Sequence, residues 1–135
     1  MESGLKELCF ERLNKAYKSL DDAEYNLRDK RLHSASNRIY YAVFHAMRAV
    51  NATEGFDSSK HSGVIAYFNK NFIKNNRLPE ILYKNIRDFV QLREKSDYED
   101  FFTPDEEDVS DQLNSAKEFL SAVDVFLKDY FSSDG

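Results

Sequence analysis

Apolar residues in this chain recur at steps of three and four, segment after segment, and never alternate with period two over a useful length. A helix returns to one face about every 3.6 residues and a strand every second residue, so the pattern admits helices and predicts no sheet. Leu5, Cys9, Leu13, Ala16, Leu20, Ala23 and Leu27 form one stripe, predicting a helix from about Leu5 to Asp29. A second helix is expected from His33-Ser34 to about Thr53. Its stripe of Ala35, Ile39, Ala42, Ala46 and Val50 is widened by Tyr40, Val43, Phe44 and Met47. Apolar over most of its circumference, this helix should be central, its small alanines letting neighbours approach closely. Gly55 is the expected stop.

A third helix, from about Lys60 to Lys74, buries Val64, Ile65, Phe68 and Phe72 and can be capped by Asp57, Ser58 or Ser59. Asn75-Asn76-Arg77-Leu78-Pro79 is a turn. A fourth helix is expected from about Pro79 to Lys95, with Leu82, Ile86, Phe89 and Leu92 or Arg93 on one side. Ser96 to Thr103 should be a loop, with Thr103 capping and Pro104 opening the last helix, which runs to about Tyr130. Its stripe is Val109, Leu113, Ala116, Leu120, Val123 and Leu127. Two long helices at the ends and shorter ones between them imply an all-α, up-and-down bundle of about five helices.

With 135 residues, 41% of them hydrophobic, the chain has material for one core, expected to occupy residues 5–131, with 132–135 a disordered tail. Its one cysteine, Cys9, falls at a core position and is expected to be buried. No apolar run is long enough to span a membrane and no apolar signal segment opens the chain, so the cytoplasm is the expected location. The net charge of -5 argues against sequence-blind nucleic-acid binding, but the charge is uneven. Residues 1–37 carry seven basic and seven acidic side chains, residues 38–95 ten and five, residues 96–135 two and twelve. An anion site should therefore lie in the middle.

That middle contains a polar stripe on an otherwise apolar helix. Arg38 and His45 are seven residues apart, about two turns, with Tyr41 between them and Asn37 and Arg48 at neighbouring steps. A guanidinium and an imidazole on such a helix must be paired or face a wet cleft. One reading is structural: Arg38 pairs with a carboxylate such as Asp97, and His45 is a satisfied core histidine. The other is functional: Arg38 holds a phosphate and His45 moves a proton. Lys60 and His61 lie where a helix start favours anions, and either add phosphate contacts or simply cap and solvate. Arg93 either serves a helix end or pairs with Asp97. His33, His45 and His61 lack the spacing of a metal-ligand pair, so no metal site and no cofactor are expected.

The run Asn37-Arg38-Ile39-Tyr40-Tyr41-Ala42-Val43-Phe44-His45-Ala46, then Lys60-His61-Ser62-Gly63-Val64-Ile65, then Arg93 with Asp97-Tyr98, resembles the short stand-alone HEPN proteins of bacteria and archaea. The helical plan fits that family from about residue 5 to 130. The resemblance implies a bundle that forms a homodimer. It also implies a metal-independent endoribonuclease, whose arginine and histidine would be Arg38 and His45 with six residues between them. Asn37, Tyr41, Lys60, His61 and Arg93 would contact substrate or phosphate. Many such proteins are toxin-like and paired with a minimal nucleotidyltransferase. The alternative is a non-catalytic module that binds a nucleotide or a partner.

Overall fold

The computed structural model describes residues 2–132 of the chain. Five α-helices account for most of them: α1 Glu2–Arg28, α2 Leu32–Ala52, α3 His61–Phe68, α4 Ile81–Tyr98 and α5 Glu106–Ser132. No strand occurs among the described residues. The protein is an all-α helical bundle. Helix α2 packs against α1, α3, α4 and α5, and thirteen of its 21 residues are buried. That centrality follows from its wide apolar surface, and Ala35, Ala42, Ala46 and Ala49, all fully buried, let the other backbones close in.

The predicted stripes of α1 and α5 face this helix. Cys9, Leu13, Ala16, Leu20 and Ala23 are buried on one side, and Val109, Leu113, Ala116, Leu120, Val123 and Leu127 on another. Phe119, also at 0% exposure, joins that core from beside the predicted stripe. Burial lifts the Cys9 thiol to about 11, as expected for a small apolar core residue.

Several boundaries differ from the sequence expectation, each for a local reason. The third helix is not regular to Lys74: a π-helical turn, Asn69–Ile73, follows α3. Val64, Phe68 and Phe72 are spaced by fours, which would drift around a regular helix; the wider turn keeps all three in the core. The N-cap of this helix is Lys60, without a side-chain bond. Ser58 Oγ instead accepts the Lys60 N–H at 3.1 Å, and Asp57 Oδ1 accepts the Ser58 N–H at 2.9 Å. Helix α4 runs through Ser96-Asp97-Tyr98, which were expected in a loop, so the loop is shorter. Asp105, not Thr103, caps α5, its carboxylate accepting the Glu107 N–H at 2.9 Å. Ser132 ends α5, and residues 133–135 of the expected tail lie outside the described residues.

Three helical segments close in the same way. Gly55 takes φ 74°, and the Phe56 and Gly55 N–H groups donate to Asn51 and Ala52 carbonyls, as its place after α2 predicts. Asn76 (φ 63°) does this after the π turn and Lys30 (φ 60°) after α1. Glycine carries no penalty for that backbone and lysine does. No helix among the described residues is long and apolar enough to cross a membrane.

Candidate functional site

Tyr41 is the hub of the polar stripe. It sits on α2, half-buried, and its ring is approached from four directions. Arg38, one turn earlier, places its guanidinium carbon 5.0 Å from the ring centre. His45, one turn later, lies 6.3 Å away between ring centres. His61, from the start of α3, meets it edge-on at 5.7 Å. Arg93, from α4, lies 5.7 Å away. The fold thus gathers Arg38, Tyr41, His45, His61 and Arg93 from three helices, while Asn37 joins through a hydrogen bond: its Oδ1 accepts from Arg38 Nη2 at 2.7 Å. Lys60 is not part of this group. It stays exposed at the start of α3.

Arg38 forms no ion pair among the described residues. Its partners are neutral, Asn37 and the Tyr41 ring, so its positive charge is oriented but not cancelled. It borders an open cleft of about 410 Å³ shared with Asn26, His33, Ser34, Asn37 and Asp97. Asp97 does not pair with Arg38, one of the structural alternatives. It pairs with Arg93 at 3.5 Å. At that length the contact is electrostatic, and the buried Arg93 Nε has no hydrogen-bond acceptor. Stacking 4.6 Å from the Tyr40 ring centre holds the Arg93 guanidinium in place instead.

The two histidines of the cluster differ. His61 is held by its Nδ1, 2.8 Å from the Tyr40 hydroxyl, and its ring lies 4.2 Å from that of Phe44. Burial and then the Arg93 charge push its pKa below the ordinary histidine value. Desolvation likewise raises the Tyr40 phenol to about 12, so this hydroxyl keeps its proton. His45 Nδ1 is buried without a partner among the described residues, so His45 is not a satisfied core histidine there. Its pKa is lowered first by burial and then by Arg48, Lys15, Arg38 and Arg12. His45 is therefore a neutral imidazole at pH 7 in a field of four cations.

Two of those cations are anchored. Asp57 accepts from Arg12 Nη2 at 3.1 Å and from Arg48 Nε and Nη2 at 3.2–3.3 Å. The Arg48 hydrogen bonds are the chief reason its carboxyl is held below the usual range. Arg48 is thus part of a structural clasp between α1, α2 and the following loop. Sequence reasoning did not find Arg12, Lys15, Asn26, His33 or Ser34. These lie on polar faces that carry no signal until α1 and α2 are packed. His33 Nδ1 is 2.6 Å from Ser96 Oγ, which joins the start of α2 to α4 beside the cleft. Among the described residues no three His, Cys, Asp or Glu side chains gather as a metal site requires.

A family model described as HEPN domain matches residues 10–126. A UPF0332 protein of Thermotoga maritima is 39% identical over 115 residues, covering 85% of this chain and 87% of that protein. A Methanocaldococcus jannaschii protein named as a candidate toxin is 31% identical across 94% of this chain and 86% of its own length. A second protein so named from the same organism is 31% identical across 84% of each chain.

Proposed function

The chain belongs to the HEPN domain family, and on that premise we propose that it is a toxin-like endoribonuclease that works without a metal ion, using Arg38 and His45. The observation that carries this reading is the contrast of charges on one helix face. Among the described residues Arg38 has no carboxylate partner, and it borders an open cleft; two turns on, His45 is kept neutral by burial and by four cations. Arg38 holds a non-bridging oxygen of the scissile phosphate with its fork of donors. His45 takes the proton of the ribose 2′-OH. The 2′ oxygen then attacks phosphorus, the bond to the 5′ oxygen breaks, and a 2′,3′-cyclic phosphate and a 5′-OH result. A homodimer joining two such faces would supply the acid that protonates the leaving oxygen. Asn37 and Tyr41 orient Arg38, while His61 and Arg93 border the path of the RNA. Lys60 adds charge at its edge. The names of two relatives support the toxin-like character.

One observation favours a second reading. The cleft at Arg38 is lined by His33 and Asp97 and not by His45. That suits a module that grips a nucleotide phosphate, or docks a minimal nucleotidyltransferase, and breaks no bond. Incubating the purified chain with total RNA in the presence of a chelator separates the two. The first reading expects fragments ending in 2′,3′-cyclic phosphate, with Arg38→Ala and His45→Ala both inactive. Cleavage at the parent rate by either variant removes the mechanism. Nucleotide binding by calorimetry with every RNA left intact selects the second reading.

A further inference from the structure

A different face of the protein, on α5, carries features of a docking surface. Leu78 and Pro79, in the connection before α4, and Ala122, Val125 and Phe126 of α5 line an open groove of about 710 Å³. Val125 is 58% exposed in it. Glu118 stands at one end and Asp129 at the other, eleven residues apart, or about 16 Å along the helix. Neither carboxylate forms an ion pair among the described residues, because the neighbouring lysines point elsewhere: Lys117 to Glu24 at 2.9 Å and Lys128 to Asp124 at 3.2 Å. Among the described residues, the cation that lines the groove is Arg77, which is held by Glu54 at 2.6 Å and stacked on Phe72 and Phe126.

We propose that this groove receives a basic amphipathic helix from another protein, about three turns long, with apolar anchors flanked at both ends by Lys or Arg. The spacing and the charges make the argument. The two carboxylates stand about three turns apart, and the short apolar strip between them, Ala122, Val125 and Phe126 together with Leu78 and Pro79, accepts the apolar face of a helix. Unneutralised carboxylates at both ends select positive charge at both ends of the guest. A second copy of this chain fits poorly. In a two-fold dimer through this strip, antiparallel helices set Glu118 against Asp129, and parallel ones set each acid against its own copy. Both arrangements bring like charges together. The groove is independent of the α2 face, so the inference does not rest on the proposed activity.

The test uses two synthetic 18-residue helical peptides with the same leucine stripe, one with lysines at both ends and one with glutamates. Binding to the full chain is followed by fluorescence anisotropy at low salt. The lysine-flanked peptide is expected to bind about tenfold tighter. The double variant Glu118→Lys/Asp129→Lys should reverse that preference, and Val125→Arg should weaken both peptides while helical content is retained. Reversal by the charge swap is a result that a misfolded variant cannot give. Equal binding of the two peptides, or no binding of either, overturns the proposal. So does a parent chain that sediments as a dimer and becomes monomeric on Val125→Arg, which would assign the groove to a second copy.

Discussion

Two arginines on α2, ten residues apart, have opposite fates. Arg48, near the end of the helix, shares Asp57 with Arg12 and is tied into a clasp. Arg38, near the start, is bound among the described residues by an amide oxygen and an aromatic ring, and borders solvent. Both arise from the same polar stripe and both are stable, because each is satisfied by hydrogen bonds or stacking. The difference lies in where the charge is cancelled. At Arg48 the protein cancels it internally. At Arg38 it is left for something else to cancel, and an unpaired guanidinium beside an open cleft suits a phosphate better than any neutral ligand. The contrast separates a cation cancelled within the fold from one left uncancelled among the described residues.

The sharpest way to break this contrast is to remove each side in turn. Arg38→Ala is expected to lower RNA cleavage by about a hundredfold to a thousandfold, with stability unchanged within about 0.5 kcal/mol. A urea titration showing a large loss of stability would mean that Arg38 belongs to the fold after all. Asp57→Ala is the mirror experiment. It leaves Arg12 and Arg48 facing each other without their shared carboxylate, and also removes the acceptor of the Ser58 N–H. Because Asp57 is half-exposed, solvent moderates the loss, which is expected at about 1–2 kcal/mol. Cleavage by the folded fraction should persist.

Acid sharpens the same contrast. His45 and His61 both have pKa values lowered below the ordinary 6.5, chiefly by burial. Below that value the unfolded chain binds protons that the folded chain refuses until its own lower values are reached. Stability is therefore complete above about pH 6.5 and falls as pH drops through that window. His45→Gln should flatten the dependence measured by denaturant titration. A slope unchanged in that variant would mean that His45 is not desolvated. The acidic limb of cleavage should likewise lie below 6.5, since the base stays neutral there.

Much of this architecture was legible in the periodicity. The stripes of α1, α2 and α5 name buried residues almost without error, because burial on a long helix is a one-dimensional signal. Phe119 was missed because an apolar residue beside a stripe is ambiguous until its neighbours are known. The π turn at Asn69–Ile73 was illegible, since spacing by fours also fits a regular helix. The end of α4 was placed too early because Ser96-Asp97-Tyr98 has weak helix preference, and Asp97 held by Arg93 across one turn outweighs it. On α2 the members of the polar stripe could be named from spacing, but not their partners. Whether Arg38 or Arg48 is paired depends on Asp57 and Arg12, which only the packed chain brings near.

The smallest expected effect concerns the backbone beside the open end of α2. Lys30 closes α1 in the left-handed region at φ 60°, a conformation that Gly55 adopts without penalty after α2. Its ammonium reaches Glu106 at 3.5 Å, but both groups are exposed and such a pair contributes little. Lys30→Gly should therefore stabilise the protein by about 0.5–1 kcal/mol through relief of that strain, offset in part by the greater freedom of the unfolded chain. Thermal unfolding would read it as a rise of a few degrees. Asn26, one turn earlier, lines the Arg38 cleft, so cleavage should be measured in the same variant. An unchanged rate would show that the strain at this end of the molecule is local to the turn and is not coupled to the guanidinium. A lowered rate would mean that the turn helps to hold the cleft open, and that the open end of α2 depends on backbone strain where the clasped end depends on a carboxylate.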